Sequence, residues 1–256
     1  MMTELVLLIV FGYLIGSVPS AYLAGKWFCG IDIRDQGSGN VGVSNLIRAT
    51  SWRVGLPAIV FDIGKGVLPV WIAYRLELGV AAQAAVGIAT IIGHNWPIFL
   101  RFSGGRGVLT TISLLFILPL INGFIPWETV AFFTLAAIGF FALHNVPIGT
   151  AAGIAVSPLV SWIMGRPPGL TAGFLAIVLI MIARRLIVPR SAEAANISTK
   201  QLIVNRLFLD RDIRDGEAWI NRRSTKQISA TKAAKEIRPS REESRERDAE
   251  WRRDHD

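Results

Sequence analysis

Two stretches of this chain gather residue types suited to holding anions. The first is GSGNVGVSNLIRAT, Gly37–Thr50. Glycines such as Gly37 and Gly39 let backbone N–H groups converge on one negative charge, and a following helix N-terminus adds partial positive charge. Ser38, Asn40, Ser44 and Asn45 add neutral donors, and Arg48 adds a guanidinium fork that fits a phosphate. The second stretch is GHNWPIFLRFSGGRGVLTT, beginning at Gly93. There Pro97 breaks or bends the chain, Gly104, Gly105 and Gly107 bare the backbone, and Arg106 supplies charge. Thr110 and Thr111 follow one turn into the next apolar segment. Either stretch alone also reads as a solvated turn. Two of them on one side of a chain are harder to explain that way.

Gly37, Gly39 and Gly42 also satisfy G-x-G-x-x-G, but that dinucleotide pattern needs a strand before it and a helix after it in a βαβ unit. Here an apolar span precedes it, so a nucleotide cofactor is not expected. A third feature lies inside an apolar run, AIVFDIGKGVLPV, where Asp62 and Lys65 stand three residues apart. On a helix they share a face and can pair. Charges within a bilayer usually face the protein interior, so the pair either lines a polar pocket or holds the first loop; the alternative is that both reach water at the interface. For His94, a satisfied histidine at a helix end is favoured over a catalytic one.

These residues must be positioned by membrane helices. The chain has 256 residues, 52% of them hydrophobic, with a mean hydropathy of +0.45. Residues 1–190 hold 12 Lys/Arg and six acidic residues, whereas 191–256 hold 15 basic and 13 acidic ones. The expected fold is all-α: a polytopic membrane bundle of about seven transmembrane helices over 1–190, with a charged cytoplasmic extension over 191–256. The candidate spans are 4–28, 54–76, 79–97, 107–124, 128–145, 148–165 and 170–188. The first lacks a basic start and a clear small-residue cleavage site, and is expected to be retained. With the N-terminus outside, nine Lys/Arg (Lys26, Arg34, Arg48, Arg53, Arg101, Arg106, Arg184, Arg185, Arg190) fall on one side and Arg75 and Arg166 on the other. The positive-inside rule then puts both glycine loops and the C-terminus in the cytoplasm. Arg184 and Arg185 read first as ordinary cytoplasmic anchors, the alternative being that they serve as phosphate ligands.

Within the extension, 200–223 mixes apolar and charged residues and is expected to form one short structured or interfacial element; 224–256 is expected to be disordered. Its net charge of about +2 gives little basis for nucleic-acid binding, and no chemistry is expected of it. The single Cys29 forbids an intramolecular disulfide. His94, His144 and His255 lie far apart without cysteine partners, so no metal site is expected.

The three stretches together resemble the bacterial acyl-phosphate:glycerol-3-phosphate acyltransferases, multi-span membrane enzymes of phospholipid synthesis. The family's first motif, roughly SGSGNxGATNxxR, is matched by GSGNVGVSNLIR; its FDxxKG by FDIGKG, Phe61–Gly66; and its GHxxPxFxxFKGGKGVAT by GHNWPIFLRFSGGRGVLT, Gly93–Thr110. The resemblance implies a reaction in which the glycerol 3-phosphate hydroxyl attacks an acyl phosphate, giving lysophosphatidic acid and inorganic phosphate without a cofactor. It implies catalytic roles for Ser38, Arg48 and Arg106. It implies substrate binding by Gly37, Gly39, Asn40, Asn45, Asp62, Lys65, His94, Gly104, Gly105, Gly107 and Thr110. The inner membrane is the implied location, and an enzyme that forms the acyl phosphate is an implied partner. Some positions depart from the family. Ser103 and Arg106 stand where KGGKG has lysines, HNVPIGTA lacks the family's serines, and IARRLIVPR lacks its H-x-x-N-I. These departures motivate a second reading, a non-catalytic binder of a phosphorylated lipid precursor. An anion transporter is a third, since helix N-termini and glycine-broken spans serve there too.

Overall fold

A computed structural model describes residues 2–222, and among them every regular element is helical. The expected disorder over 224–256 lies outside the described residues. The helices are α1 (Met2–Ser17), α2 (Ser20–Cys29), α3 (Val43–Ala49), α4 (Trp52–Arg75), α5 (Val80–Asn95), α6 (Val108–Ile121), α7 (Trp127–Phe141), α8 (Val146–Ile163), α9 (Pro168–Leu186) and α10 (Thr199–Val204). Each of the seven expected spans holds a helix. Among the described residues, four segments suffice by length and composition to cross a membrane: Met2–Cys29, Trp52–Arg75, Val146–Ile163 and Pro168–Leu186. Val108–Ile121 and Trp127–Phe141 are apolar but shorter. A helix of their length rises only about 21–23 Å against a hydrocarbon core of about 30 Å.

The first span, expected as a retained helix over 4–28, is not continuous. It breaks at Val18–Pro19 into α1 and α2, because proline has no N–H to donate and its ring clashes with the turn before it. Such a break at membrane depth is tolerated only where other groups satisfy the freed carbonyls.

Close backbone contact sets the position of that break. A side chain on Gly16 would run into Thr90 O of α5, and one on Gly93 into Tyr13 O of α1. The two glycines therefore let α1 and α5 touch, as small residues do in membrane helix pairs, and bring the break beside His94 at the end of α5. A main apolar cluster with Val70, Leu114, Phe132, Ile154, Phe174 and Ile177 ties α4 and α6 through α9 together. A second, with Ala21, Ala24, Ile33, Leu46, Ala58 and Leu100, packs α2, the first glycine loop and α3 against α4. Outside these clusters many large apolar side chains are exposed, among them Val10, Phe11, Val60, Phe133, Phe140 and Leu179. That is the surface expected where lipid is the solvent.

Candidate active site

The broken first span creates the polar centre. Lys65, in the middle of α4, is 2% exposed and donates to Gly16 O (3.1 Å) and Val18 O (3.3 Å), the carbonyls the break sets free. Its ammonium is 2.8 Å from Asp62 Oδ1, and the Ser20 hydroxyl donates to the same oxygen at 2.7 Å. His94 Nδ1 lies 3.8 Å from it. Thr110 of α6 donates to the Asp62 carbonyl at 3.1 Å. Asp62 and Lys65 thus form a fully buried pair, and the interface reading of them is excluded. What they hold is the α1–α2 break rather than the first loop.

The first loop is fastened from within. Asn45, buried at the start of α3, gives both amide hydrogens to Ile33 O (2.9 Å) and Gln36 O (3.0 Å). Its carbonyl accepts from the Ser38 N–H (3.0 Å) and hydroxyl (3.2 Å). Asn40 N in turn donates weakly to Ser38 Oγ at 3.4 Å. Gly37 (φ 53°) and Gly39 (φ 67°) occupy the left-handed region that this tight path requires. Asn45 is therefore the staple of the loop. Arg48, at the exposed end of α3, has no hydrogen-bond or ion-pair partner among the described residues.

The second loop lies directly against the first. A Cβ on Gly105 would strike the His94 ring and come 2.9 Å from Val41 O of the first loop. Arg184, from the last turn of α9, donates to Gly104 O (2.7 Å) and Gly105 O (2.9 Å). A trans peptide points its C=O and N–H in opposite directions, so the Arg106 amide is turned away from Arg184. Gly107 (φ 66°) starts α6, and Asn95 is buried beside it with its Oδ1 unpartnered. Between the two loops and the break lies a small cleft lined by Ser17, Pro19, Ser20, Val41, His94, Gly104 and Gly105.

The charged extension returns to this same place. Asp210 Oδ1 is 2.9 Å from Arg106 Nη1 and 3.7 Å from Arg185 Nε. Arg185 also donates to Leu207 O. Arg206 anchors the segment through Asp212 (2.7 Å), Leu186 O (2.9 Å) and Pro189 O (3.1 Å), while Asp212 accepts from the Ser191 N–H at 2.8 Å. Burial alone would raise the Asp212 carboxyl, but the Arg206 guanidinium and the Ser191 amide hold it below the usual carboxylate range.

The glycerol-3-phosphate acyltransferase family matches residues 6–193. The chain belongs to that family. Glycerol-3-phosphate acyltransferase 5 of Dehalococcoides mccartyi is 40% identical over 225 residues, covering 86% of this chain and 94% of the relative. Glycerol-3-phosphate acyltransferase 2 of Thermotoga maritima is 35% identical over 175 residues, 68% of this chain and 84% of that one. The crystal structure of PlsY, an integral membrane glycerol 3-phosphate acyltransferase, in its glycerol 3-phosphate form superposes with a TM-score of 0.65 at 27% identity. It covers 83% of this chain and 96% of PlsY. Its lysophosphatidic acid form gives a TM-score of 0.62 at 25% identity. The Dehalococcoides match covers too much of this chain to end at residue 193, so part of the extension is shared with that acyltransferase.

Of the residues singled out in the sequence of this acyltransferase, Asp62, Lys65, His94 and Thr110 meet in one polar cluster. The glycines of both loops meet beside it. Ser38, Asn40 and Asn45 are bonded to one another, Arg106 is paired with the extension, and Arg48 stands apart. Sequence reasoning missed Ser20 and the acids of the extension, and favoured anchoring over a site role for Arg184. Pro19 inside an apolar run was the available signal for Ser20. Arg184 is not the expected anchor, because burial at 9% exposure directs it into the second loop. For Asp210 there was no signal, since its contact with Arg106 spans about a hundred residues of chain.

Proposed function

We propose that this chain is a glycerol-3-phosphate 1-O-acyltransferase that takes its acyl group from an acyl phosphate. The observation that carries the reading is the meeting of two glycine loops, the second bearing Arg106, beside a buried Asp62–Lys65–His94 cluster. Both substrates bring a phosphate, and two anion-holding loops in contact suit two such groups held close enough to react. In the reaction, the glycerol 3-phosphate hydroxyl oxygen attacks the acyl carbonyl carbon. The bond from that carbon to the phosphate oxygen breaks, and inorganic phosphate leaves with the proton. No side chain needs to act as general base, because a substrate phosphate can accept that proton.

The roles follow from chemistry. Arg106 and the bare amides of the second loop stabilise the leaving phosphate and the developing oxyanion. Ser38 and the first loop hold the second phosphate, with Arg48 free on α3 to close on it. Asn45, Thr110, Asp62 and Lys65 keep the loops and the break in place, and His94 lines the cleft between them. All seven helical segments cross the inner membrane, with the loops and C-terminus in the cytoplasm, in keeping with the distribution of Lys and Arg.

The test is purified protein in detergent given acyl phosphate and glycerol 3-phosphate, followed by phosphate release and product analysis. Stoichiometric phosphate and 1-acyl-glycerol 3-phosphate are expected. Folded protein that binds glycerol 3-phosphate but releases no phosphate would reject the enzymatic reading in favour of a binder.

A further inference from the structure

Three guanidinium groups gather at the rim of the cleft. Arg106 comes from the second glycine loop, and Arg184 and Arg185 come from the last turn of α9. Left alone they would repel one another. Within 4 Å of Arg106 and Arg185 lies one carboxylate, Asp210 of the extension, while Arg184 is held by the carbonyls of the second loop. It is carried at a left-handed backbone position (φ 54°) just after the helical turn Asn205–Leu209. That turn is fixed independently of Asp210, by the Arg206–Asp212 pair and by the hydrogen bond from Asn205 Nδ2 to Asp212 O (2.9 Å). The same extension reaches the first loop as well: a Cβ on Gly37 would come 3.3 Å from Ile220 O.

We propose that the extension is a working wall of the anion site, with Asp210, itself backed by the buried Arg185, as a positioning residue that holds Arg106 for a phosphate group. This rests on the acyltransferase reading above. Asp210 Oδ1 meets Arg106 Nη1 as an ion pair without a hydrogen bond, which leaves the N–H groups of the fork to a substrate. The charge balance agrees. Three guanidiniums against one carboxylate leave two positive charges, which match a phosphate dianion. A carboxylate that fixes an arginine lowers the cost of ordering that long side chain when substrate binds. Asp210 thus gives the extension a task in the reaction, although it touches no reacting atom.

The opposite arrangement, in which Asp210 occupies the phosphate position until substrate displaces it, predicts changes of the opposite sign. The experiment compares wild type with Asp210→Asn, which keeps the shape and removes the charge, and with Asp210→Glu. The readouts are kcat, KM for each substrate, and inhibition by inorganic phosphate. In Asp210→Asn, KM for at least one substrate and the phosphate inhibition constant should both rise about fivefold, the worth of a partly exposed ion pair. The kcat should change less than about twofold, and Asp210→Glu should recover part of the loss. Unchanged or lower KM and inhibition constants, beside an active wild type, would overturn the proposal. Should wild type itself not turn over, the acyltransferase reading fails. The wall is then judged by calorimetric binding of inorganic phosphate, with weaker binding by Asp210→Asn supporting it and equal or tighter binding overturning it.

Discussion

At the scale of single residues, the buried ammonium of Lys65 does two jobs, and substitutions can separate them. Asp62→Ala leaves Lys65 without its counter-charge and is expected to cost about 3–5 kcal/mol, read as a lowered unfolding temperature in detergent. If ion pairing were the whole role, the double substitution Asp62→Asn with Lys65→Met would recover most of that stability. Because Lys65 also satisfies Gly16 O and Val18 O, the double variant should stay destabilised by about 1–3 kcal/mol for the orphaned carbonyls. The arginines divide differently. Arg48 has no partner among the described residues, so Arg48→Ala should lower kcat/KM at least tenfold while leaving the unfolding temperature unchanged. Arg106→Ala should lower it about a hundredfold, in the range of a lost anion-stabilising donor. Arg106→Lys keeps the charge that resembling sequences carry there, and should retain most of the activity. These residues were legible in the sequence because glycine, arginine and an in-span charge pair are conspicuous among apolar neighbours. Their partners were not. Asn45 looked like a substrate donor, but its loop uses its entire hydrogen-bonding capacity.

At the scale of elements, each loop is held by one side chain: Asn45 for the first and Arg184 for the second. Gly105→Ala forces a Cβ into the His94 ring and Val41 O, and should sharply reduce turnover in protein that still folds. The anchor of the extension is sensitive to acid. The folded Asp212 carboxyl lies below its unfolded value of about 3.9. The docking it supports is therefore complete above about pH 5 and is lost as the pH falls through the depressed folded value. The protection factor of the Ser191 amide, which donates to Asp212, should be high at neutral pH and fall on acidification. Helix existence was readable from apolar run length. The break in the first span was not, since hydropathy averages over Pro19 and a proline is tolerated in many membrane helices, as Pro57 and Pro69 of α4 are here.

At the scale of the whole molecule, orientation can be tested without adding a residue. Cys29, the single cysteine, is exposed at the end of α2, next to the first loop. A membrane-impermeant thiol reagent should label it from the cytoplasmic side and leave it untouched from outside; the reverse pattern would invert the proposed topology. Truncation after Ser224 should preserve activity, whereas removal of everything after Arg190 should raise KM at least as far as Asp210→Asn does, since Arg106 and Arg185 would then lose Asp210. Composition divided the chain into an apolar body and a charged extension. It could not reveal that the two close on one another, because tertiary ion pairs leave no local pattern. The kink under Lys65 bears on biogenesis. A first segment with unsatisfied peptide oxygens and a second one bearing an ammonium are each poor guests of hydrocarbon when alone. Joined, each supplies what the other lacks. The two should therefore leave the insertion machinery for the bilayer as a pair, and the isolated second segment should insert poorly until the first is present.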